Sequence, residues 1–243
     1  MVKAYLNWSS GKDAAYALYL LQKEKKLEVG KLVTTINTEV NRISMHGVRL
    51  SLLQTQAESL QLPLHIISLD GNVSMDEYNA VMQTSIDLLK AEGFTHSIFG
   101  DIFLEDLRSY REEQLQKVGM KALFPLWKIN TCQLIREFIA AGFKAITVCV
   151  NAKLLDESFC GRIIDQQFLD DLPSHIDPCG ENGEFHSFVF DGPNFNYPVE
   201  FEIGEKIKRS FVQKEKKVDN CFSSKDTSWD THFWYCDLIP QIV

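Results

Sequence analysis

Ser9, Ser10, Gly11, Lys12 and Asp13 follow one another near the start of the chain. These residue types, in this order, suit an anion. Two hydroxyls can donate to oxygen, a glycine lets the backbone come close, and a lysine supplies a full charge. The run Val2-Lys3-Ala4-Tyr5-Leu6 before them is apolar and β-prone, and Ala14 to Leu21 after them is rich in helix formers. A strand that ends in a small turn and feeds a helix aims unpaired backbone N–H groups and the positive end of the helix dipole at that turn. Phosphate is the guest this chemistry calls for.

The pattern is not a Walker A loop. No glycine lies five residues before the Gly11-Lys12 pair, and Asp13 stands where a hydroxyl would bind magnesium. It resembles instead the PP-loop of the ATP pyrophosphatases, written SGGKDS, which grips the terminal pyrophosphate of ATP while the α–β bond breaks. Ser9, Gly11, Lys12 and Asp13 match; Ser10 replaces a glycine and Ala14 the closing serine.

A second dense passage runs from Asp177 to Pro193. It places Glu181, Glu184 and His186 behind the glycines Gly180 and Gly183. Period-2 alternation predicts that Glu184, His186 and Phe188 share one strand face, with Phe185, Ser187 and Val189 on the other. Polar Glu and His in that register look like a lined pocket; an ordinary hairpin is the plainer alternative.

With this passage in place, the chain resembles the diphthine–ammonia ligase family of PP-loop proteins. That family carries an EGGEFE-type motif, here Glu181-Asn182-Gly183-Glu184-Phe185-His186. Gly100-Asp101-Ile102 followed by Arg108, Arg111 and Glu112 looks like the family's segment after its fourth strand. Gly161-Arg162 with Asp165 and Asp170 resembles its "GR-xx-D" stretch. Asn182, His186 and Asp101 depart from the common letters and look like those of a bacterial branch. Diphthamide belongs to archaeal and eukaryotic elongation factor 2, so the resemblance carries the ATP chemistry further than the acceptor.

The resemblance implies an ATP-dependent amide ligase. A carboxylate-bearing acceptor, a small molecule or a modified protein, is adenylated with release of pyrophosphate, and ammonia then displaces AMP. Ser9, Ser10, Gly11, Lys12, Asp13, Gly100 and Asp101 would bind ATP, with Mg²⁺ on Asp13. Arg108 and Arg111, three apart on one helix face, would reach a phosphate or the acceptor with Gly180 and Gly183, surface ion pairs with Glu105, Glu112 or Glu113 being the plainer alternative. Lys12, Glu181, Glu184 and His186 would be catalytic, with His186 taking a proton from the attacking amine if it titrates near neutrality. Lys12 is expected as an exposed loop residue. Cys179 reads as a small turn residue rather than a nucleophile. Two rivals stay open: a PP-loop enzyme acting on another carboxylate or a tRNA base, and a non-catalytic nucleotide-binding module.

Positioning such a site falls to alternating β and α elements. Strands are predicted at Val2–Leu6, Lys31–Ile36, Leu64–Ser68, Ser97–Gly100 and Ala122–Phe124. Helices are predicted at Asp13–Lys25, Val48–Leu60, Met75–Ala91 and Leu104–Val118. This order implies an α/β fold of the PP-loop/HUP type: a parallel five-stranded sheet with helices on both faces. A helix at Cys132–Ala141 and strands at Ala145–Val150, Glu184–Phe190 and Val199–Ile203 suggest a smaller C-terminal α+β domain. The division falls into an ATP-binding domain, 1–128, and a substrate-side domain, 129–243.

Composition bounds the rest. The 243 residues are 45% hydrophobic, enough for a packed core without staples. A net charge of −8 argues against a large nucleic-acid footprint, and the Lys206–Lys217 patch reads as a solvated face around a loop. The six cysteines form no C-x-x-C pair, which suits a reducing compartment. With no signal-peptide pattern and no long apolar span, a cytoplasmic protein without membrane contact is expected. A homodimer is compatible with all of this.

Overall fold

Short apolar runs and amphipathic helices build two sheets, which the computed structural model describes over residues 2–43, 46–71, 73–211 and 231–241. The elements of the first sheet and its helices are β1 (Val2–Asn7), α1 (Lys12–Glu24), β2 (Leu27–Asn37), β3 (Arg42–Ile43), α2 (Leu50–Ser59), β4 (Leu64–Leu69), α3 (Met75–Ala91), β5 (His96–Ile98), α4 (Glu105–Lys117) and β6 (Lys121–Leu123). The remainder comprises α5 (Thr131–Ala140), β7 (Lys144–Asn151), α6 (Gln166–Asp171), β8 (Phe185–Asp191), β9 (Phe201–Phe211) and β10 (Thr231–Pro240). The boundary expected at 128/129 falls between β6 and α5.

The five predicted strands pair in the order β4-β2-β1-β5-β6, all parallel. The two-residue β3, not expected, adds antiparallel to the end of β2. The chain winds outward from β1 to β4, then crosses to β5 on the other side of β1. The winding therefore reverses between β1 and β5, and a ligand crevice opens beyond their carboxyl ends. Ser9–Asp13 leaves one of those ends and Gly100-Asp101 the other.

Period-2 alternation assigns the faces. Ala4 and Leu6 of β1 join the core with Leu18 of α1 and Leu52 of α2, while Tyr5 joins Val33, Ile67, Leu89 of α3 and Leu115 of α4. Helices thus cover both faces, as expected. Local signals set their ends: a Ser74–Glu77 capping box starts α3, Asn130 caps α5, and left-handed Lys25 (φ 53°) stops α1.

The second sheet is antiparallel, in the order β8-β7-β10-β9. It packs on the α1/α2 face, where Phe138, Ile146 and Phe188 belong to the same core as Leu6 and Leu18. Two expectations change here. The short strand at Val199–Ile203 begins at Phe201 and runs on to Phe211, because β10 pairs along its whole length. Lys206 to Phe211 therefore lie in a strand rather than a loop; residues 212–217 lie outside the described residues. α6 was not foreseen, and Asp165 is its N-cap, accepting from Phe168 N–H at 2.8 Å. Among the described residues no helix is long and apolar enough to cross a membrane.

Candidate active site

The loop after β1 is shaped by partners far away in sequence. Ser10 is left-handed (φ 72°) and fully buried. Its carbonyl accepts from Val189 N–H of β8 at 2.9 Å and from Gln56 Nε2 of α2 at 3.2 Å. Gln56 is fully buried too. Its Oε1 accepts from the Trp8 indole at 2.9 Å, and its Nε2 also donates to the Val189 carbonyl at 2.6 Å. One carboxamide therefore joins β1, the loop and β8. The Ser10 hydroxyl points into the protein without a partner and does not line the cleft described next.

A cleft of about 310 Å³ opens at the crevice between β1 and β5. Ten of the expected site residues line it: Ser9, Gly11, Lys12, Asp13, Asp101, Arg111, Gly180, Glu181, Gly183 and His186. Four do not. Ser10 is turned inward. Gly100 sits behind the cleft, where a Cβ would come 3.0 Å from Ala14 N and Asp13 C, so a larger residue would crowd the start of α1. Arg108 stacks over Phe124 and Trp127, 4.9 and 4.5 Å from their centroids, and bonds to Glu112 at 2.8 Å. Of the two arginines on this helix, only Arg111 reaches the cleft.

Glu184 is the fourth. It lies in the turn before β8, 3% exposed, and its carboxylate is fully engaged. It accepts from Asp177 N–H (3.1 Å), Asn182 N–H (2.9 Å) and Asn182 Nδ2 (3.0 Å). The strand-face reading placed it beside His186 in the pocket; the structure places it inside the turn. Ser187 moves the other way, lining the cleft together with its neighbours Phe185 and His186. Phe185, His186 and Ser187 thus all touch the cleft, beside a slip in the ladder where Thr147 lies opposite Ser187 but Cys149 opposite His186.

Lys12 is 3% exposed, not an open loop residue, and its ammonium sits 2.8 Å from Asp13 Oδ2. Burial alone would lower its pKa, but Asp13 above all, with Cys179 and Glu181, outweighs this and lifts it to about 12. Glu181 accepts from Ile102 N–H at 2.8 Å, which ties the turn to the β5 loop. Burial first, then Asp13, pushes its pKa up to about 7, against the opposing pull of Ile102 N–H and Lys12. Asp101 is raised by burial and held by Arg111, whose Nε lies 3.1 Å from Oδ2 without hydrogen-bond alignment. His186 is lowered to about 4 by burial and by Lys12. It is therefore a poor base at neutral pH. Burial pushes the Cys179 thiol up, away from a reactive thiolate.

The donor set suits a hard cation bound together with phosphates. Asp13, Asp101 and Glu181 are drawn close enough to disfavour one another's charge, and Asp101 Oδ2 is buried without a hydrogen-bond donor. Among the described residues no cluster holds a metal by protein ligands alone. Mg²⁺ commonly takes one or two carboxylates plus substrate phosphates, and Asp13 and Asp101 would supply them.

Three further residues were not foreseen from the sequence. His46 stacks on His186 with ring centroids 4.6 Å apart, and its Nδ1 lies 3.3 Å from the Ser187 carbonyl. Its loop is anchored to β10 by Arg42 and Arg49, 2.8 and 2.6 Å from Asp237. Gln56 could have been suspected as a polar residue, with Ser59, on the buried face of α2. Ser187 could not, since alternation assigned it to the wrong side.

The protein-family model for the diphthamide synthase N-terminal domain matches residues 2–122, and that for the C-terminal domain matches residues 130–221. A diphthine–ammonia ligase of Homo sapiens is 26% identical over 170 residues, covering 63% of each chain. The one of Mus musculus is 24% identical over 226 residues, covering 83% of this chain and 84% of its own. This chain thus spans less than two thirds of the human relative and most of the mouse one. A solved structure described as a predicted tRNA methyltransferase subunit from Methanocaldococcus jannaschii is 18% identical, with a TM-score of 0.40 over 60% of this chain and 77% of its own.

Proposed function

Since the chain belongs to the diphthamide synthase family and is by that membership an enzyme of the ligase type, we propose that it adenylates a carboxylate with ATP and transfers ammonia to it. One observation carries this reading. The PP-loop, with Lys12 and Asp13, faces the Glu181 carboxylate across a single cleft.

In the first step an acceptor carboxylate oxygen attacks the α-phosphorus and the bond to the β-phosphate breaks. Charge grows on the departing pyrophosphate, and Lys12, fixed and charged beforehand, is placed to stabilise it. Mg²⁺ bound with ATP would neutralise phosphate charge. Arg111 offers a second cation in the cleft. In the second step ammonia attacks the acyl carbon, AMP leaves with the bonding pair, and the nitrogen sheds a proton to Glu181. A carboxylate raised to about 7 is matched to that transfer at neutral pH. His186, first read as the proton acceptor, instead offers a neutral imidazole with His46. The acceptor, diphthine on an elongation factor or another carboxylate, is the part of this proposal that stands on resemblance.

The test follows product and pH together. With ammonium and acceptor, ATP should yield AMP and pyrophosphate, and kcat/KM should rise with pH through about 7 as Glu181 loses its proton. Glu181→Gln should flatten that limb and lower the rate by about 10². ADP as the main product, or an unchanged limb in the variant, overturns the mechanism.

A further inference from the structure

We infer that Ser187, on β8, is a ligand for the terminal phosphates held by the PP-loop. α1 begins without a cap of its own: its N-cap Gly11 makes no side-chain bond. The missing partner comes from 175 residues away, where Ser187 Oγ accepts from Lys12 N–H at 3.1 Å. This bond withdraws one of the N–H groups the loop would offer directly to an anion. It also orients the hydroxyl. A serine oxygen that accepts from the backbone keeps one proton to give, and no described residue accepts it.

Ser187 is 3% exposed, yet it lines the cleft beside Ser9, Gly11 and Lys12. An anion on the loop would find the Ser187 proton, the Ser9 hydroxyl and the Lys12 ammonium around it. The serine cannot drift away. Two residues further on, Val189 N–H bonds to the Ser10 carbonyl, and Gln56 bridges the Ser10 and Val189 carbonyls. Gly11 completes the fit, since a Cβ there would come 3.3 Å from the Ser187 carbonyl. The ligand class is a pyrophosphate group, free or at the end of a nucleoside triphosphate. The inference rests on reading the cleft as the ATP site, and adds that β8 reads the phosphates directly.

Three variants test it: Ser187→Ala, Ser187→Cys, which keeps the volume with a weak donor, and Ser187→Thr, which keeps the hydroxyl. ATP KM, inhibition by inorganic pyrophosphate and acceptor KM are measured for each, alongside melting temperature. A hydrogen bond to a charged group predicts a loss of about tenfold or more in ATP and pyrophosphate affinity for Ala and Cys. Acceptor KM should hold, and Thr should restore most of the loss. Wild-type pyrophosphate affinity in Ala and Cys overturns the inference. So does a loss shared equally by ATP and acceptor with a fallen melting temperature, since that marks a structural cap only. If Lys12→Ala loses ATP while Ser187→Ala does not, the ATP site stands and only Ser187 falls. Wild-type protein that binds neither ATP nor pyrophosphate overturns both.

Discussion

The PP-loop and the Asp177–Glu184 turn face each other across one cleft, and they are held in opposite ways. The loop turns Ser9, Lys12 and Asp13 to the cleft and takes its support from elsewhere, through Gln56, Val189 and Ser187. The turn is held largely from within. Asp177 accepts from Glu181 N–H at 3.0 Å, Glu184 gathers three donors within the turn, and Gly180 and Gly183 take positive φ of 70° and 83°. Of its three carboxylates, two are spent inward and only Glu181 lines the cleft. Acidic residues within eight positions of one another thus divide into scaffold and chemistry according to which backbone N–H groups need a partner.

This contrast can be broken most forcefully at Lys12. Lys12→Ala should lower ATP turnover by about 10²–10³, the scale for one preorganised stabiliser. It should also destabilise the fold, because Asp13, half-buried, would be left without its cation. Adding Asp13→Asn should recover the melting temperature and not the turnover. Recovery of both would remove the loop from catalysis.

At Glu184 the order of effects should invert. Glu184→Ala orphans buried N–H groups, so unfolding in urea should show a loss of about 2–3 kcal/mol. The fall in turnover should follow from a displaced Glu181. Full stability with depressed amide formation would return Glu184 to the catalytic set.

The smallest effect belongs to Arg108. Arg108→Ala should cost about 0.5–1 kcal/mol of stability through its stacking on Phe124 and Trp127. ATP turnover should not change. A turnover loss approaching that of Arg111→Ala would mean that α4 presents both arginines to the substrate.

What could be read from the sequence was whatever neighbouring residues decide. The strand–turn–helix around Ser9–Asp13, the parallel sheet and α3 all follow from apolar period and capping, and the structure reproduces them within a few residues. The failures occurred where distant pairing decides. Lys206 to Arg209 look like a solvated charge run until β10 lies beside them. Ser187 lines the cleft because the loop after β1 docks on it, with Lys12 N–H donating to its hydroxyl. Burial is equally non-local. His186 sits at a plausible catalytic position, and only its burial and the nearby Lys12 ammonium, which lower its pKa to about 4, set it apart from a base.

Gln56 has a consequence beyond the cleft it never touches. Its carboxamide, the Val189 amide and the Ser187 hydroxyl stitch the loop after β1 to the second sheet at its buried centre. Pulling the two sheets apart would strand those peptide groups together, with no water to receive them until the apolar core has also opened. Two sheets of different architecture, which invite description as two domains, should therefore melt in a single cooperative transition. Their slowest-exchanging amides should include Lys12 and Val189, one from each side of the seam.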